Sequence, residues 1–529
     1  MALTLPDGIE VLPITKWENA HQNFTHNFKP NSSFKLRIPH SDQPYQDTTK
    51  NFQWLIQYAL DNNIQMRAIG NGWSFSEVAV CDGGIIDTKA LRLTYNLNDS
   101  SVAPAYLQSG KTANNLFFVE CGMSIFDIDK KLEQESQPKR SLKASGASNG
   151  QSIAGATSTG THGAAYNVGA VHDSIVGLHI VVSPTRHVWI EKKSNPVASD
   201  EFISWLGAEP IREDDDMFNA AVVSFGSFGF IHGILLETEP VFLLEEHRVG
   251  NIAYTDALKH AMNTLDFAAI EDVLPSPANA PGKELYHFEI IVNPQNFKDN
   301  DPENGVYFKL MYKVPYQANY PKKDTTTGKF TYGDDTLGVI QTIIDSLGSD
   351  LSDLLIPPLV NKMFPLAFKV TGITYGTIGE TFAYTKFKGK AASAAIGIPA
   401  AYATQLIEEV VKLNSDHPFP GGMAMRYVKG TSALLGFTRF EKTCVLELDG
   451  VDSQVSRSFI QSIWNKLEEL SIPYTLHWGK FNFNLDPQRV KIMYGSNAVD
   501  TWLNCRSNLL DANCRKVFTN DFMLRCGLA

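Results

Sequence analysis

The sequence predicts an α+β chain in two unlike halves, and three features carry that reading. The stretch Ser145–Gly163 holds Gly146, Gly150, Gly155, Gly160 and Gly163 with small hydroxylated residues between them. Main chain there can approach a ligand closely, and successive N–H groups can converge on an anion. Ahead of it, helix and strand patterns end in glycine turns. Beyond residue 243, strands and helices follow in the order of an antiparallel sheet with helices packed on one side.

Thr48–Asn62 places Phe52, Leu55, Ile56, Ala59 and Leu60 on one helical face. The strand Gln65–Ile69 then runs into Gly70-Asn71-Gly72-Trp73-Ser74, a setting for a phosphate cradle. It is not a Rossmann fingerprint, because the third glycine and the following helix are missing. Gly110-Lys111-Thr112 is not a Walker loop, since Ala105 stands where its first glycine belongs. Strands are expected at Gly84–Asp87 and Leu116–Cys121. Ser124, with Asp127 three residues on, caps a helix whose inner face is Ile125, Ile128 and Leu132. Past the glycine-rich stretch, Ile175–Val182 and His187–Glu191 form a hairpin about Ser183–Arg186. A second small-residue region, Ser224–Gly233, leads into an alternating strand, Ile234–Phe242.

In the second half, strands are expected at His287–Asn293, Val306–Val314, Ala424–Val428, Ala433–Phe437 and Cys444–Leu448. One helix buries Leu406, Ile407, Val410, Val411 and Leu413; another buries Phe459, Ile460, Ile463, Trp464, Leu467 and Leu470. Leu337–Ala401, apolar and rich in glycine and proline, reads as core packing or as a lid or apolar substrate wall.

Composition narrows the function. With 529 residues and 43% hydrophobic content the chain can bury large cores. A formal net charge of −11 argues against general nucleic-acid binding. The six cysteines form no CxxC pair, and no histidines show metal spacing. No run approaches the ~20 apolar residues of a spanning helix. The opening MALTLPDGIEVLP lacks a basic segment and a long apolar run, so the expected location is the cytoplasm.

The order of these loops, with Ser158-Thr159-Gly160-Thr161-His162-Gly163, resembles the FAD-binding domain of the vanillyl-alcohol oxidase superfamily, the p-cresol methylhydroxylase (PCMH) type. In pattern it resembles the subgroup of aldonolactone, alditol and flavin-linked cholesterol oxidases. The resemblance implies a two-subdomain PCMH-type FAD-binding domain at 1–243, a substrate domain at 244–470, and a segment returning to the flavin at 471–529. It implies FAD contacts from Gly70, Asn71, Gly72, Trp73 and Ser74, and from Ala147, Ser152, Gly155, Thr159, Gly160, Thr161 and His162. Ile231 takes the adenine side. Many relatives carry at the position of Trp73 a histidine bonded covalently to the flavin. Tryptophan has no such nucleophilic nitrogen, so non-covalent FAD is expected. Cys121 reads as a buried apolar residue or a thioether candidate, and His162 as a hydrogen-bonding residue of the flavin loop.

For catalysis the resemblance points to His477-Trp478-Gly479-Lys480 and to Arg426. Lys480 would place positive charge beside the flavin pyrimidine ring, or else is a surface lysine beside a buried tryptophan. Arg426 would hold a substrate oxygen or an alkoxide, or else is a structural ion-pair residue. Relatives often have a glutamate two residues before this arginine; here that position is Ala424, which leaves the base unassigned. Glu289 shares a strand face with His287 and Ile291. It reads either as a base with its pKa raised by burial or as an exposed edge residue. The expectation is an FAD-dependent oxidoreductase acting on a small-molecule C–OH, or C–N, group by hydride transfer to flavin N5, with O2 as acceptor. The alternatives are a dehydrogenase using another acceptor and a non-catalytic flavin-binding protein.

Overall fold

Two sheets organise the N-terminal half. The computed structural model describes residues 4–328, 336–347, 354–368, 372–387 and 389–529. Helix Pro44–Asp61 starts ahead of its periodic stretch, with Pro44 in its first turn, where a missing N–H costs nothing. It buries Phe52, Leu55, Ile56 and Ala59 and delivers the chain to strand Met66–Ile69. That strand pairs in parallel with Gly84–Asp87, in a four-stranded sheet completed by Phe34–Leu36 and Ile9–Val11. A six-stranded sheet beside it has Ile175–Val181 and Phe230–Glu237 at its centre, with the expected hairpin partner His187–Ile190.

Two expectations in this half need correction. Ile234–Phe242 is not one alternating strand. The strand begins at Phe230 and all eight of its residues are buried. Leu116–Glu120 and Ile175–Val181 flank both its edges, and a central strand covered on both faces reads as a continuous run. Phe242 instead opens the next strand, Phe242–Ile252. The stretch Ser145–Gly163 is not all loop, because Ile153–Ser158 coils into a short helix with Ile153 and Ala156 buried.

Among the described residues the second half is a nine-stranded sheet. Its central neighbours are Val306–Pro315, Lys283–Val292, Gly421–Lys429, Lys442–Val451 and Ala391–Pro399, in that order and antiparallel. Helices Asp256–Thr264, Ala403–Asp416 and Gln454–Glu469 share a core with one face, through Phe288, Ile290, Met423 and Met425. Within the unassigned segment, helices Thr336–Leu347 and Ile356–Ala367 lie on the other face, over Ile291, Tyr307, Ala424 and Val451. The rest of Leu337–Ala401 partly falls outside the described residues. The expected strand Ala433–Phe437 is a turn, closed by Gly436 N–H donating to Ala433 O at 3.0 Å. It is apolar because Ala433, Leu435 and Phe437 are buried, not because they join a ladder.

Both chain ends tie the halves together. Near the C-terminus, Trp502 Nε1 donates to Val223 O and Arg506 Nε to Ser227 O. Near the N-terminus, the turn of hairpin Lys16–Glu18/Thr25–Asn27 bridges the halves. Ala20 N–H donates to Gly72 O at 2.9 Å, and Asn23 Nδ2 to Asp452 Oδ2 at 2.9 Å. Among the described residues no helix is long and apolar enough to cross a membrane.

Candidate active site

A cleft runs between the two sheets' loops. One wall is Gly70–Phe75 with Ala147, Gln151, Ser152, Gly155, Thr159, Thr161, His162 and Ile231; the other holds Arg426, Glu447, Asp449, His477 and Lys480. Local sequence explains the first wall. A Cβ on Gly70 would lie 2.0 Å from Ser152 Oγ, so the strand-end turn and the long stretch can meet only through glycine. Gly72 has φ +69°, open to glycine at no cost. Asn71 Nδ2 donates to Gly150 O, binding the two loops into one surface. Ile231 enters the cleft where the pairing of Phe230–Glu237 with Ile175–Val181 slips by one residue, a bulge of the kind that re-aims residues at sites. His21, from the bridging turn, also lines this wall. Its ring stacks on Phe75 at 4.0 Å, and burial together with Lys480 pushes its pKa down to about 3.

Opposite charges alternate across the face of the second sheet. Lys309, Glu289 and Arg426 occupy paired positions on three successive strands. Arg426 Nε donates to Glu289 Oε1 at 2.9 Å, and its Nη1 lies 3.5 Å from Glu447 Oε1. Lys480 Nζ donates to Glu447 Oε2. His162 Nε2 lies 3.5 Å from Glu447 Oε1, while its Nδ1 faces Gly163 O at 3.0 Å. Burial favours protonation of Glu447, but Lys480, Arg426 and His162 outweigh it and hold the carboxyl below its ordinary value. Burial holds His162 down at about 4 and His477 well below the usual imidazole range. Asp449, pushed up by burial, accepts from Thr336 Oγ1 and Ser393 Oγ, each at 2.7 Å.

Nearly all the expected residues meet here, with two exceptions. Gly160 does not line the cleft; it turns the chain after helix Ile153–Ser158 at φ +73°, where an added Cβ would stand 3.5 Å from Phe437. Glu289 stands behind Arg426, outside the lining, and its expected raised pKa is reversed. Burial pushes its carboxyl up, but Arg426 and His287 together carry it well below the carboxylate range. Cys121 lines the cleft as a thiol that burial pushes up, which disfavours the thiolate. The sequence reading missed His21, Asp449 and above all Glu447. The signal for the two acids was the alternation Val445, Glu447, Asp449 on one face of a buried strand.

Residues 46–190 match a family described as FAD binding domain. The chain carries an FAD-binding domain. Over 193 residues it is 28% identical to the L-gulono-1,4-lactone dehydrogenase of Mycobacterium tuberculosis, covering 36% of each chain, so the match spans little more than a third of that relative's length. It is 22% identical to L-gulonolactone oxidase 3 of Arabidopsis thaliana over 504 residues, covering 90% of this chain and 80% of the relative. Among solved structures, cholesterol oxidase from B. sterolicum superposes with a TM-score of 0.67 over 99% of this chain and 100% of its own, at 15% identity. At that identity the likeness is one of fold: an α+β flavoprotein fold with a large antiparallel sheet. The cleft fits FAD on its own evidence. Its glycine wall exposes main chain to a phosphate-bearing ligand. Among the described residues, Gln151 Oε1 and Glu447 Oε1 are buried at the cleft without a hydrogen-bond partner.

Proposed function

We propose that the chain is an FAD-dependent oxidoreductase that oxidises a C–OH group of a small molecule, with FAD held non-covalently and O2 as the acceptor. The observation that carries this is the row Glu289–Arg426–Glu447–Lys480, its first three members buried, which meets the glycine-lined FAD cleft from the opposite wall. Bound FAD supplies the two-electron acceptor. The Arg426 guanidinium donates to the substrate oxygen, and Lys480 offers positive charge where negative charge gathers on reduction. Glu289 fixes the Arg426 fork. The His21, Phe75 and Phe387 rings exclude water from one end. Non-covalent binding is supported by Trp73 at the position of attachment in the resembling family and by the raised Cys121 thiol.

The test is the visible spectrum of the purified protein before and after acid precipitation, followed by anaerobic mixing with a panel of alcohols. L-gulono-1,4-lactone, D-arabinono-1,4-lactone, cholesterol and simple polyols form the panel, the first three suggested by the relatives' names. Flavin bands that move to the supernatant and bleach with one of these are the expected result. A protein that takes up no FAD, or a flavin that none of them reduces, defeats the proposal. The mycobacterial dehydrogenase supports a second reading, a non-oxygen acceptor. Reoxidation of the reduced enzyme over many minutes in air-saturated buffer would favour it.

A further inference from the structure

We propose that Glu447 is the catalytic base, accepting the substrate's hydroxyl proton on Oε1 in the place left empty by Ala424. This rests on the oxidoreductase reading above and names the group that completes it. Ala424 and Glu447 are direct cross-strand partners, and opposite residues of an antiparallel pair project from the same face. The carboxylate absent from position 424 is therefore present one strand over.

Packing accounts for the exchange. Ala424 lies under helices Thr336–Leu347 and Ile356–Ala367, in a core with Val339, Ile340 and Phe364. At neighbouring Gly422 even a Cβ would stand 3.0 Å from Thr336 and 3.1 Å from Phe364. A glutamate at 424 would drive its charge into that core. Glu447 instead lines the cleft.

The two carboxylates of the row differ in what remains open. Glu289 uses both oxygens, Oε1 with Arg426 Nε at 2.9 Å and Oε2 with His287 Nε2 at 3.1 Å, and does not line the cleft. It is a positioning residue. Glu447 gives Oε2 to Lys480. Its Oε1 is buried with Arg426 and His162 each at 3.5 Å and no hydrogen bond. A buried acceptor without a donor is destabilising, and a substrate O–H entering the cleft supplies that donor. In the reaction the O–H bond breaks, its proton passes to Oε1, and its electron pair forms the C=O π bond. The C–H pair leaves as hydride to the bound FAD. His477 Nδ1 is already occupied by Gly479 N–H at 3.0 Å, which leaves His162 as the competing base.

The experiment uses full-length, FAD-loaded wild type with Glu447→Gln, Glu447→Asp, Glu289→Gln and His162→Asn. It measures anaerobic flavin reduction by the panel above and the substrate-free reduction equilibrium of the bound flavin. Glu447→Gln is expected to slow reduction at least 100-fold and to abolish the acid limb of the rate–pH profile. It should also shift the equilibrium at least threefold toward reduced flavin. Glu447→Asp should recover part of the rate, and Glu289→Gln should slow reduction while keeping the acid limb. A wild type that binds no FAD, or is never reduced, defeats the oxidoreductase reading and this inference with it. Where the wild type is reduced, a Glu447→Gln variant with an unchanged rate, pH profile or equilibrium overturns the inference alone. Loss of the acid limb only in His162→Asn does the same and assigns the base to His162.

Discussion

Among the described residues Arg426 faces two carboxylates on different strands, and those partners set what its replacement does. Arg426→Met would leave Glu289 and Glu447 buried without their shared cation. Removing one partner of a buried pair costs about 3–5 kcal/mol, so the variant should show that loss in urea denaturation. Arg426→Lys keeps the charge but lacks the planar fork that reaches both acids. It should recover most of the stability and little of the flavin reduction rate. If the lysine variant were as active as the wild type, the role given to the planar fork would be wrong.

Between elements, the contact of the first glycine turn with the long glycine stretch is as tight as van der Waals radii permit. Gly70→Ala sets a Cβ against Ser152 Oγ. Overpacking of this kind costs about 1–3 kcal/mol, which by titration should appear as FAD binding roughly tenfold weaker. Adding Ser152→Ala removes that oxygen and should restore part of the affinity. This wall was legible in the sequence because a glycine turn is a local device: Gly70–Ser74 and Ser158–Gly163 state their conformation in adjacent residues. The strand face of Glu447 was legible in its alternation with Val445 and Asp449, but its place opposite Ala424 was not, because that register is set across the loop joining two consecutive strands. The turn at Ala433–Gly436 misled for a related reason, as apolar composition reports burial and not hydrogen-bond partners. Helix Thr336–Leu347 sat in a segment visibly apolar and helix-prone, but the face of the sheet it covers is set by tertiary packing.

Across the whole molecule, the halves are latched by groups that respond to pH. Glu133, in the FAD-binding half, accepts from Thr377 Oγ1 and from Gly379 N–H at 2.9 Å. Burial raises its pKa from 4.5 to about 7, and the carboxyl of the buried Asp129 beside it is raised as well, so the two titrate together. A carboxyl raised in the folded state stabilises the fold fully below 4.5, and the contribution is lost as pH climbs through about 7. Thermal melts of the wild type should therefore decline between pH 5 and 8. Glu133→Gln should flatten that decline; an unchanged slope would mean that Glu133 is ionised throughout.

The N-terminal hairpin touches Gly72 on one side of the cleft and Asp452 on the other, with His21 in the lining between. A strap across a mouth imposes an order of events: it must part before the cofactor enters and re-form afterwards. Uptake of FAD by the flavin-free protein should then saturate in rate as FAD concentration rises, at a ceiling set by the strap and not by diffusion. Asn23→Ala, which releases one end, should lift that ceiling and speed flavin escape in the same proportion.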